Sequence, residues 1–111
     1  MRTAAAVDAN QPEIVQTFRE LGCTVRHLHQ LGKGCPDLLV GVNGFNVLVE
    51  TKMLDGKLTK DQIVFIAEWC GDAIAIVRTR DDVVTLVNYY RGLSKQPRGI
   101  NPLAANLNGN R

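Results

Sequence analysis

The chain is poor in the features that settle a protein's class at a glance. No apolar run approaches the ~20 residues of a membrane-spanning helix, so no membrane partner is expected. The opening Met1-Arg2-Thr3-Ala4-Ala5-Ala6-Val7 lacks the apolar length of a signal peptide. Its cysteines, Cys23, Cys35 and Cys70, are odd in number, widely spaced and without a Cys-x-x-Cys pair. That argues against zinc and for a reduced, cytoplasmic setting. There is no Gly-x-x-x-x-Gly-Lys-[Ser/Thr], which excludes a nucleotide-binding P-loop, and no nucleotide cofactor is expected. Neither sign of charge dominates: 13 Lys and Arg against 11 Asp and Glu leave +2, a weak pull on an acidic partner. No internal repeat is visible. With 111 residues, one domain with one modest core is the expectation.

What the chain does have is a strong hairpin signal. Asn43-Gly44 sits between two apolar runs, the sequence that favours a two-residue turn. The turn fixes the register. Val42 faces Phe45, Val40 faces Val47 and Leu38 faces Val49. The same register sets Leu39 against Leu48 and Asp37 against Glu50, with Cβ atoms about 4.5–5.5 Å apart. Lys52, two residues beyond Glu50, shares that face about 6.6 Å further along. Like charges placed opposite each other weaken a sheet, so the arrangement calls for a compensating cation. Oxygen-only ligands suit Mg²⁺ or Mn²⁺. Lys52 beside such an ion could orient water or neutralise a developing phosphorane, the parts of a metal-assisted phosphodiester hydrolysis. The bland alternative is an exposed Glu50–Lys52 ion pair worth little. The register and the order Pro-Asp then Glu-x-Lys favour the catalytic reading.

The remaining elements follow from local signals. Residues 1–9 read as a flexible lead-in. Asn10 as N-cap, Pro12 in the first turn and Glu13 at the third position open a helix that carries Ile14, Val15, Phe18 and Leu21 and stops at Gly22. Cys23 to His29 reads as a strand, with Val25, His27 and His29 on one face. Both histidines stay unassigned. Gln30-Leu31-Gly32-Lys33-Gly34 is a loop, either a plain connection or a place where Lys33 and backbone approach a phosphate. Thr59-x-x-Gln62 forms a capping box opening a second helix, with Ile63, Ile66, Ala67, Phe65 and Trp69 as packing positions and Gly71 as the stop. Lys57 and Lys60 flank the loop before it and are candidate phosphate contacts, as is Arg78, against the default of solvated side chains. Ala73 to Arg78 reads as an apolar strand suited to a buried, parallel place. Thr79 caps a third helix with Asp81 and Asp82 in its first turn; it carries Val83, Val84, Leu86, Val87 and Tyr90 and ends near Gly92. The domain spans residues 10–92. Residues 93–111, with Lys95, Arg98, Arg111 and no acids, read as a polar, weakly basic tail.

Pro36-Asp37…Glu50-Thr51-Lys52 resembles the PD-(D/E)xK nuclease signature. With Gly34-Cys35-Pro36-Asp37-Leu38-Leu39-Val40-Gly41, Leu58-Thr59-Lys60-Asp61-Gln62 and Val77-Arg78 before Asp81-Asp82, the chain is similar to the VRR-NUC (virus-type replication-repair nuclease) family over roughly residues 10–92. The resemblance implies an α/β fold with a PD-(D/E)xK nuclease-like core in the order α-β-β-β-α-β-α, a mixed sheet flanked by helices. It implies a divalent-metal-dependent DNA endonuclease of replication, recombination or repair, acting on Holliday-junction or other branched DNA. In that reading Asp37, Glu50, Glu13 and the Thr51 carbonyl hold Mg²⁺ or Mn²⁺, and Lys52 activates water. Gln62 lies by the site, beside its plain reading as a cap. Glu13 has the same two readings, ligand or half of a capping box. Two cuts in one junction call for two sites, hence a two-fold homodimer. If the chain is viral, its setting is the host cytoplasm. The rivals are a nuclease fold that grips DNA or protein without cutting, and a nicking or restriction-type nuclease.

Overall fold

A computed structural model of the protein describes residues 8–94 and 101–105. Most of the expected lead-in, residues 1–7, and residues 95–100 and 106–111 of the tail, with Lys95, Arg98 and Arg111, lie outside the described residues. Three helices and a four-stranded mixed sheet follow one another as α1 (Gln11–Glu20), β1 (Thr24–His27), a 3₁₀ turn (His29–Leu31), β2 (Leu38–Val42), β3 (Phe45–Thr51), α2 (Lys60–Glu68), β4 (Ala75–Val77) and α3 (Arg80–Arg91). This is an α/β protein in the expected order. No helix among the described residues is long and apolar enough to cross a membrane.

The hairpin sets the sheet. Asn43 and Gly44 both take positive φ, 52° and 82°, as a two-residue turn with matching twist requires. The β2–β3 ladder pairs Leu38 with Val49, Leu39 with Leu48, Val40 with Val47 and Val42 with Phe45, as expected for these pairs; the expected Asp37–Glu50 pair is not part of it. Asp37 lies one residue before β2, at the mouth of the ladder. The strand order is β1-β2-β3-β4, with β4 parallel to β3 and the other pairs antiparallel.

Period-two alternation then divides the two faces. Val25, Leu38, Val40, Val42, Val47, Val49 and Val77 point to one side, where Ile14, Val15 and Phe18 of α1 and Val83, Val87 and Tyr90 of α3 close the core over them. Leu39, Leu48, Glu50 and Ile76 fall on the other side. There the crossover helix α2 reaches the sheet through Gln62, which hydrogen-bonds Glu50.

Four expectations need correction. The strand from Cys23 ends at His27, because the chain turns into the 3₁₀ segment at His29. The expected Ala73–Arg78 strand is three residues long and lies at the sheet edge, where only Val77 is buried. The packing positions given to α2 do not fill the core: the helix has no buried residue, Ile63 and Ala67 are exposed, and it ends at Glu68, before Gly71. Finally, Asn10 and Glu13 form no capping box. Asn10 is in helical backbone geometry and makes no side-chain cap. Its Nδ2 instead donates to the carbonyls of Lys52 at 2.9 Å and Arg78 at 2.8 Å. Those oxygens follow β3 and β4, so a side chain read as local is a clamp between two strands. The Thr59–Gln62 box forms as expected, and the expected Thr79 cap is part of a second box with Asp82.

The clamp and the cap make opposite forecasts for one substitution. Aspartate caps helices as well as asparagine does, yet it has no N–H to give and adds charge beside two carbonyls. Asn10→Asp should therefore cost roughly 1–3 kcal/mol in chemical denaturation. An unchanged midpoint would return Asn10 to the role of cap.

Candidate active site

One end of the sheet gathers polar groups from four elements. The parallel strands β3 and β4 finish there, and in open α/β sheets the ground beyond such carboxyl ends is where ligands bind. α1 contributes its first turn, the Gly32–Pro36 loop delivers Asp37, and α2 contributes its first turn. Asp37, Glu50, Thr51 and Gln11 are all buried, Glu50 to 3 % exposure and Asp37 to 7 %. Buried polar groups at this density need partners, and most have them.

Asp37 is fixed by Thr51. Its Oδ2 accepts from the Thr51 backbone N–H at 2.9 Å and from Thr51 Oγ1 at 2.8 Å. Gln11 Nε2 donates to the same Thr51 hydroxyl at 2.8 Å, so the chain Gln11–Thr51–Asp37 runs in one direction. Both bonds land on one oxygen of Asp37, Oδ2.

Glu50 is held differently. Its Oε2 accepts from Gln62 Nε2 at 2.9 Å and lies 3.8 Å from Lys52 Nζ. Its Oε1 is buried and has no hydrogen-bond partner among the described residues. Burial and the neighbouring Asp37 charge push the Glu50 carboxyl up to about 8. Lys52 opposes that rise, while the charge of Asp8 adds to it. The expected strain between opposed carboxylates thus falls on Glu50, which keeps a proton at neutral pH when nothing else neutralises it.

Gln62 makes two contacts at once. Its Oε1 accepts from Thr59 N–H in the capping box, and its Nε2 holds Glu50. Glu13, expected as a ligand or a cap, sits exposed on α1. The N-terminal acid felt at Glu50 is Asp8, whose carbonyl also receives the Gln11 N–H. Cys35 lies close enough that burial, then Glu50 and Asp37, push its thiol up, which keeps it a neutral thiol. Lys33, Lys57 and Lys60 are exposed. Arg78 is engaged: its Nη1 donates to the carbonyls of Met53 and Gly56 at 2.7 and 2.6 Å, with Leu54 at 3.4 Å. It pins the loop before α2. Gly34, at φ +79°, packs so tightly on that helix start that a Cβ would overlap the Asp61 carbonyl.

Sequence reasoning missed Asp8, Gln11 and the inward turn of Asn10. Nothing local announces them. Gln11 is the first residue of a helix, where a polar side chain is ordinary, and its partner lies 40 positions away.

Among the described residues no three His, Cys, Asp or Glu side chains form a ready cage for a metal ion. Mg²⁺ rarely uses one; it keeps its waters and takes one or two carboxylates. Asp37 and Glu50 supply that number, and the orphaned Glu50 Oε1 is a buried oxygen in want of a positive partner. The residues fit a small divalent cation. No protein-family model, curated protein or solved structure matches the chain.

The Glu50 shift has a sign that can be measured. Between about 4.5 and about 8 the unfolded chain has released the Glu50 proton and the folded protein retains it. Stability falls with pH wherever the native state binds more protons. In EDTA the melting temperature should drop as pH rises toward 8, and Glu50→Gln should flatten that slope. A wild-type slope no steeper than the variant's would mean that Glu50 ionises normally.

Proposed function

We propose that the protein is a divalent-metal-dependent DNA endonuclease with a PD-(D/E)xK-type site. The observation that carries the reading is the buried Asp37–Glu50 pair at the end of the sheet, with Lys52 against one oxygen and an orphaned oxygen on the other side of the carboxyl. The likeness of Pro36-Asp37…Glu50-Thr51-Lys52 to the nuclease signature points the same way.

Asp37 and Glu50 would hold Mg²⁺ or Mn²⁺, with the Thr51 carbonyl as a further candidate ligand and Glu13 or Asp8 acting through water. Bound there, the ion would neutralise both carboxylates and a phosphate oxygen and ease ionisation of a water. Lys52 keeps its ammonium 3.8 Å from Glu50. It is placed to orient the attacking water or to neutralise charge on the phosphorus oxygens. Gln62 holds Glu50 from the other side, and Thr51 fixes Asp37 through Oδ2. Exposed Lys33, Lys57 and Lys60 would meet backbone phosphates, giving affinity that falls with salt. Arg78 acts indirectly, by shaping the loop that carries Lys57. The substrate class favoured by the resemblance is branched DNA in replication, recombination or repair, cut by a two-fold dimer.

A labelled four-way junction, a linear duplex and a single strand, each with Mg²⁺, Mn²⁺, Ca²⁺ or EDTA, test this. Mg²⁺ or Mn²⁺ should support cleavage, Ca²⁺ binding without turnover, and EDTA neither cleavage nor background. Lys52→Ala should lose cleavage yet keep DNA affinity within a few-fold, since it acts in the transition state. Binding without cutting under every metal would make the protein a gripping module. Equal cutting of linear duplex would make it a nicking or restriction-type nuclease. Full activity in EDTA would end the metal mechanism.

A further inference from the structure

A cleft of about 710 Å³ lies between α1 and the end of β1, the outermost strand of the sheet. Small-ligand sites have this size, roughly 300–1,000 Å³. Pro12 and Val15, with the hydrocarbon stems of Gln16 and Arg19, make the lining mainly apolar. The cleft adjoins the carboxylate pair. Gln11 lines it and gives its Nε2 to Thr51, the residue that fixes Asp37. His27 lines it too, and the next residue, Leu28, donates its N–H to the Asp37 carbonyl at 2.6 Å.

Charge is sorted along its length. From Gln11 to Arg19 the helix covers about 12 Å. The nearby acids outside the lining, Asp8 and Glu13, stand at the Gln11 end, before and within the first turn of α1. Arg19 stands at the other end. Its Nη2 reaches the Val25 carbonyl only at 3.5 Å, and no carboxylate pairs with it among the described residues. Glu20, the acid of the lining, is already paired with Arg80 at 3.2 Å and accepts from Gln16 at 3.3 Å. The cleft therefore offers an apolar wall and one uncommitted guanidinium. Side chains on a helix lean toward its N-terminus, so Arg19 leans toward the carboxylates. A guanidinium takes phosphate through paired N–H donors, and an apolar wall takes the face of a base. A base inside a duplex has both faces stacked, so only an unpaired nucleotide can present one.

We infer that the cleft between α1 and β1 holds an unpaired nucleotide of a DNA strand, its base against Pro12 and Val15 and its phosphate on Arg19. The choice of DNA rests on the nuclease reading; the place and the chemistry of the cleft do not. Gln11 belongs to both sites, so a strand held in the cleft passes its neighbouring phosphate to Asp37 and Glu50. A preference for branched over continuous DNA follows, because a flap or junction supplies unpaired nucleotides and a duplex does not.

Fluorescence anisotropy of the full chain in Ca²⁺ tests this, with a labelled duplex, the same duplex carrying a short single-stranded flap, and dTMP as competitor. The wild type should hold the flap about tenfold more tightly than the duplex, the worth of one charge-assisted contact. dTMP, lacking the rest of the strand, should displace the flap only at far higher concentration. Arg19→Gln removes the phosphate anchor, and Gln16→Trp fills the cleft from an exposed position. Each should bring flap binding down to the duplex level. Duplex binding, which falls to Lys33, Lys57 and Lys60, should stay within a few-fold, and the melting temperature should not move. Equal binding of flap and duplex by the wild type, or binding of neither, would overturn the inference. So would variants that keep the preference or weaken both DNAs alike, and so would dTMP that binds as tightly as the flap, since a free nucleotide would then be the ligand. Cleavage in Mn²⁺ is scored separately. Flap preference without cleavage sinks the nuclease reading and leaves the cleft with its nucleotide; cleavage without flap preference does the reverse.

Discussion

Two carboxylates buried side by side cannot both stay ionised unless positive charge comes to them. That constraint governs the polar end of this molecule. Lys52 answers it in part, yet burial first and the Asp37 charge second still push the Glu50 carboxyl up to about 8. The remaining charge can be met by a proton or by a small cation, and the two compete for the same oxygens. The proposed phosphodiester chemistry would use the second state, in which a cation holds phosphate and water together. The first state is the resting one, stable at neutral pH and ready to be displaced.

Holding such a pair in place requires rigid support, since a loose carboxylate would simply turn to solvent. The support is drawn from across the chain. Gln11 reaches from the first helix to Thr51, and Thr51 fixes Asp37 through both its N–H and its hydroxyl. Asn10, next to Gln11, ties the carbonyls that follow β3 and β4. The first turn of α1 thus acts as a bracket across the strand ends, and the two adjacent amides divide the task between backbone and side chain. On the far side Gln62 performs a similar division within one residue, its oxygen capping a helix and its nitrogen holding Glu50. The stretch from β3 to α2 is otherwise thinly packed, and Arg78 compensates by gathering its loop carbonyls.

Sequence made the hairpin readable because turn chemistry and period-two alternation agree there, and an Asn-Gly turn admits one register. The same agreement exposed Thr59 and Thr79 as caps. Asn10 misled for an instructive reason. Its local context is that of a cap, and its partners are carbonyls 42 and 68 residues away, beyond the reach of any local rule. α2 misled in another way: an apolar run in a helix reads as core, and periodicity alone does not say whether the face meets this chain or another. The register brought Asp37 and Glu50 to the same end of the hairpin, although the ladder itself stops at Leu38 and Val49. That Glu50 is the one pushed up could not be read, because that depends first on burial and also on Asp8, which arrives from the far end of the chain.

The competition between proton and cation at Glu50 is the centre of this account, and calorimetry reads it directly. Mn²⁺ titrated into the protein at pH 7, in two buffers of different ionisation enthalpy, reports the protons released per ion bound. With Glu50 near 8, about one proton should leave for each Mn²⁺ taken up, and Glu50→Gln should release none. Binding with no proton release from the wild type, or no binding of Mn²⁺ at all, would contradict the account.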